Sequence, residues 1–105
     1  MDVVSNITNE ILVVGSIYKS PDLFIENGHN IRSKYDFHDE STKFFYDNAE
    51  IIYQTRSQKF NRSIISTYMA EDEERLSLYK KYGGWKLIES WMSLAVPENF
   101  AGYYE

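Results

Sequence analysis

From Asp39 onward, helix-starting residues alternate with apolar stripes that repeat every three to four positions, a pattern that points to a bundle of short helices. Asp39-Glu40-Ser41 opens the longest of these stretches. In it Phe45, Ala49 and Ile52 form one stripe, Phe44 and Ile51 widen it, and Lys43 and Asp47 fall outside, so a helix is expected from about Glu40 to Thr55. Asn61 can cap a further helix whose apolar face is Ile64, Ile65, Tyr68 and Met69. After a turn or kink, the four acids Glu71 to Glu74 sit where the positive end of a helix dipole favours them, and Glu71 precedes Arg75 in the better orientation of an i,i+4 pair. Leu76 and Tyr79 face inward. Gly83-Gly84 stops that helix and lets the chain re-enter a last one, with Trp85, Ile88, Trp91 or Met92, and Ala95 in its stripe and Pro97 at its end.

The first half is less regular. Ser20-Pro21-Asp22 combines an N-cap, a proline at the first helical position and an acid in the first turn, which predicts a short helix through Glu26 stopped by Gly28. The stretch Thr8 to Tyr18 reads two ways. Ile11, Leu12, Val13, Val14 and Ile17 favour a strand by propensity, while Ile7, Ile11, Val14 and Tyr18 fall at helical spacing with Thr8 as a cap, and period alone does not separate the two.

A chain of 105 residues with 43% hydrophobic side chains has room for one core, and no repeat or Gly/Ser linker divides it. The absence of cysteine excludes disulfides, a thiol nucleophile and Cys-ligated metal. The longest aliphatic run, Ile11 to Val14, is far short of the roughly 20 residues that cross a bilayer, and no basic flank marks a signal peptide, so a cytoplasmic protein without membrane contact is expected. A net charge of -5 opposes non-specific binding to nucleic acid. One local exception is Arg56, Lys59 and Arg62, in a stretch with no acid between Ile51 and Ala70.

No reactive constellation emerges. Gly83-Gly84-Trp85-Lys86 lacks the spacing and hydroxyl of a phosphate-binding loop, and neither a G-x-S-x-G nor an H-E-x-x-H motif is present. Asp36, His38, Asp39 and Glu40 offer a nitrogen and three carboxylates, but neighbouring residues at a helix start point in different directions, and a solvated helix N-terminus is the better reading. His29 has no Ser, Asp or second His placed to orient it, and reads as a turn residue. No catalytic residue, metal or cofactor is expected. Trp85 and Trp91 read as core, whereas Phe100, Tyr103 and Tyr104, beyond the last helix, are the aromatic candidates for a protein-docking surface. Arg56, Lys59 and Arg62 are the electrostatic second choice.

The order of several weak motifs resembles a known family. Glu10-Ile-Leu-Val-Val-Gly15-Ser-Ile-Tyr-Lys-Ser-Pro21-Asp-Leu-Phe24 is similar to the opening of the N-terminal domain of bacterial and phage replicative helicases of the DnaB type. Asp36-Phe37 resembles that family's Asp-Phe before its longest helix, and Phe45-Tyr46 with Ala49 and Ile52 resembles the helix itself. Tyr82-Gly83-Gly84-Trp85 with Leu87, Ile88 and Trp91 looks like its Gly-Gly-aromatic turn, and Pro97, Asn99-Phe100 and Tyr103 look like the approach to its helical hairpin. His38 in place of the usual Tyr, and the charged stretch Tyr68 to Lys81, depart from the pattern.

The resemblance implies an all-α fold of about six helices, with the strand option for Ile11 to Tyr18 removed. It implies a non-catalytic domain over residues 1–105 that recruits primase or helicase loader and takes part in ring assembly, the motor domain lying outside this chain. Weak self-association, as monomer or weak dimer, is the corresponding expectation for these residues alone. A free-standing phage protein that imitates the domain to bind a host loader or primase is the alternative.

Overall fold

The computed structural model describes residues 3–26 and 37–103, and all regular structure among them is helical. Among the described residues six α-helices run in chain order: α1 (Val3–Lys19), α2 (Glu40–Thr55), α3 (Arg62–Ala70), α4 (Glu73–Tyr82), α5 (Gly84–Leu94) and α6 (Phe100–Tyr103), with a 3-10 turn at Pro97–Asn99 before the last. Residues 23–26 add one helical turn after Ser20, whose carbonyl accepts the Leu23 amide at 3.1 Å. The expected stop at Gly28 lies outside the described residues.

The ambiguity at Ile11 to Tyr18 resolves to a helix. Val13 through Tyr18 are six consecutive buried residues, so this part of α1 is covered on every side by α2, α5, α6 and the 3-10 turn. A helix buried all round is apolar on more than one face instead of carrying a single amphipathic stripe, which is why its sequence also satisfied a strand. The helix starts at Val3, so Thr8 lies within it and is not its cap.

The helix starts from Asp39 onward follow local chemistry. The Asp39 carboxylate accepts the Thr42 amide at 3.2 Å, Asn61 accepts Ile64 at 2.9 Å and Asp72 accepts Arg75 at 2.9 Å, each satisfying an N–H that has no partner within its helix. Gly83 at φ 124° and Gly84 at φ 62° make the α4–α5 turn with backbone angles that side-chain-bearing residues rarely adopt. α2 buries Thr42, Phe45, Tyr46, Ala49, Ile52 and Tyr53 along one face.

Phe45 is the hub of the core. Its fully buried ring meets Tyr18 of α1, Tyr79 and Tyr82 of α4 and Trp91 of α5 edge-on at centroid distances of 6.3, 6.1, 6.3 and 5.5 Å. Such edge-to-face pairs each add about 0.5–1.5 kcal/mol beyond the burial of area. The Tyr18 hydroxyl donates to the Phe45 carbonyl at 2.9 Å, so one side chain packs on α2 and bonds to its backbone. The radius of gyration, 12.9 Å, is that of a single folded domain of this length, about 13 Å.

Two residues of α1 set its contacts. At Gly15 an added Cβ would lie 2.4 Å from the Trp91 carbonyl oxygen, so α1 and α5 touch backbone to backbone there. Glu10 is fully buried, and its carboxylate accepts the His38 and Asp39 amides at 3.1 and 3.0 Å and the Thr42 hydroxyl at 2.6 Å. It thus binds the start of α2 from 28 to 32 residues away in sequence.

Gly15→Ala is expected to lower the unfolding free energy by about 2 kcal/mol through overpacking against immovable backbone. Glu10→Ala is expected to cost about 3 kcal/mol, because buried donors lose their acceptor. Glu10→Gln should fall between wild type and Glu10→Ala, since its amide nitrogen faces donors. Urea unfolding followed by circular dichroism measures all three.

Candidate docking surface

The two sets of residues expected to meet a partner fare differently. Phe100 is 3% exposed and belongs to the core, so its expected place on the docking surface is corrected. The cause is the Pro97–Asn99 turn, which folds the chain back so that α6 packs on α1. Tyr103 is half-buried, and its hydroxyl accepts the Val96 amide at 3.1 Å, closing this return. Tyr104 lies outside the described residues. Trp91 is buried and Trp85 is half-buried against the core.

Of the basic residues, Arg56 is already engaged. Its guanidinium forms a two-pronged ion pair with Glu71, one prong at 2.7 Å, and lies 5.4 Å from the centroid of the Tyr68 ring. Arg75 stacks closer on that ring, at 3.8 Å, and donates to the Tyr68 carbonyl. Glu71 therefore takes its hydrogen bonds from Arg56, 15 residues away, where the sequence had pointed to Arg75. The reason is that Glu71 ends α3 while Arg75 lies inside α4, so the pair does not share one helix face. Lys59 and Arg62 remain exposed, flanking the start of α3. Ser57 shapes the loop between them and α2, its hydroxyl donating to the Lys59 carbonyl at 2.9 Å and accepting the Lys59 amide at 3.0 Å.

An apolar surface was missed by sequence reasoning. Leu94 and Val96 are 63% and 44% exposed at the C-terminal end of α5. The available signal was that Leu94 stands off the stripe of Ile88, Trp91 and Ala95, so an inward-facing stripe has no place for it.

His38 and Asp39 of the Asp36 to Glu40 cluster are engaged in helix capping. The Asp39 carboxylate is turned onto the α2 N-terminus, where Ser41 and Thr42 donate to it, and the backbone of His38 serves Glu10. Among the described residues no group of three His, Asp or Glu is placed to hold a metal ion, while Asp36 and His29 lie outside them. Gly83 and Gly84 act as a helix stop, and an open groove on α4 is lined by Glu73, Leu76, Ser77 and Lys80. Among the described residues no helix is long and apolar enough to cross a membrane.

With this geometry in hand, comparison with known proteins returns nothing: no family profile matches the chain, and neither a curated protein nor a solved structure is detectably similar.

Two titrations follow from the geometry. The hydrogen bond from Arg56, together with the charges of Arg56 and Arg75 and against an opposing effect of burial, holds Glu71 below the ordinary glutamate range. A carboxylate depressed on folding contributes stability that is complete above its unfolded pKa and disappears as pH falls through its folded one. The stability difference between wild type and Glu71→Gln is therefore expected to be present at neutral pH and to vanish in the acid range below the ordinary glutamate pKa. It should also shrink with added salt, since both partners are exposed. Denaturant midpoints against pH and salt measure this.

At the other extreme, burial, with Tyr79 and Tyr68 nearby, pushes the Tyr18 hydroxyl well above the usual tyrosine range. Stability from a raised pKa is complete below the unfolded value and is lost as pH rises past it. Alkaline unfolding should thus include Tyr18 ionising only as the core opens. Tyr18→Phe should lower stability at neutral pH by about 1 kcal/mol, through the lost hydrogen bond, and flatten the alkaline limb. Tyrosinate absorbance recorded alongside circular dichroism tests both parts.

Proposed function

We propose that this chain is a non-catalytic docking domain of the kind found at the N-terminus of DnaB-type replicative helicases, contributing to ring assembly and recruiting primase or helicase loader during DNA replication. One observation carries the reading: the landmarks of the resemblance coincide with residues whose chemical type the backbone demands. Glu10 is the buried acceptor for the start of α2, Gly15 leaves no room for a Cβ against the α5 backbone, and Gly83-Gly84 makes the positive-φ turn. Chance similarity would fall as readily on exposed positions that tolerate any side chain.

The surface chemistry is compatible with protein partners. A net charge of -5 opposes stable contact with polyanions, so the domain acts by presenting side chains to other proteins and not by gripping DNA. Lys59 and Arg62 offer positive charge to an acidic partner surface, and Tyr103, bonded to the Val96 amide, is only half-buried. ATP hydrolysis and unwinding belong to a motor domain that these residues do not include. The setting that goes with this role is the cytoplasm of a bacterium or of a phage-infected host.

Isothermal titration of the 105-residue chain against the helicase-binding domain of a bacterial primase, and separately against a helicase loader, tests the reading. Saturable binding to at least one is expected, with the double variant Lys59→Glu, Arg62→Glu weakening it about tenfold. Light scattering of the chain alone should give a monomer or weak dimer. Failure to bind primases and loaders from several bacterial hosts, or a stable hexamer from these residues alone, would overturn it.

A further inference from the structure

No further inference is drawn: the strongest candidate, the exposed Leu94 and Val96 at the C-terminal end of α5, is an unpartnered apolar surface and nothing in the structure shows what covers it.

Discussion

A helix enclosed on all sides cannot turn its polar residues to water, so each must find a partner inside the protein or be absent. That constraint governs the middle of α1 and, through it, the arrangement of the whole domain. Ser16 meets it locally, donating its hydroxyl to the Leu12 carbonyl at 2.7 Å. Glu10 meets it across the fold, at the one kind of place where a buried carboxylate is well served: a helix N-terminus, whose free amides and dipole favour negative charge. The same contact fixes where α2 begins relative to α1, so the solution to a desolvation problem also sets the register between two helices. Gly15 then determines how near α5 can come, since any larger residue would meet the Trp91 backbone.

Around that frame the core is organised by aromatic contacts more than by aliphatic interdigitation. Phe45 occupies the centre, and rings from α1, α4 and α5 present their edges or faces to it. Because ring quadrupoles prefer tilted and perpendicular approaches, such a cluster constrains orientation as well as volume. A second group, in which Phe24 and Phe37 lean on Tyr46 at 5.6 and 4.8 Å, draws the turn after α1 and the approach to α2 against that helix.

Charge is used sparingly in the interior and locally at the surface. The Arg56–Glu71 pair joins the end of α2 to the end of α3, and Arg75 lies flat on the Tyr68 ring that Arg56 also approaches. Both cations thereby serve the α2–α3–α4 junction. The basic stretch visible in the sequence is consequently reduced, as an external feature, to Lys59 and Arg62. The free positive charge on this face is narrower than Arg56, Lys59 and Arg62 together had implied.

The boundaries of α2, the Asn61 cap and the Gly83-Gly84 turn were legible because each depends on groups within a few residues of one another, and such interactions have the same chemistry whatever surrounds them. The burial of α1 on every side, the role of Glu10, the exchange of Arg75 for Arg56 as the partner of Glu71, and the disappearance of Phe100 into the core were decided only by the tertiary structure. Each depends on which distant surface arrives beside the residue, and periodicity within one segment carries no information about that. Local hydrogen-bonding chemistry thus determined where the helices start and stop, while their packing determined which side chains were left at the surface.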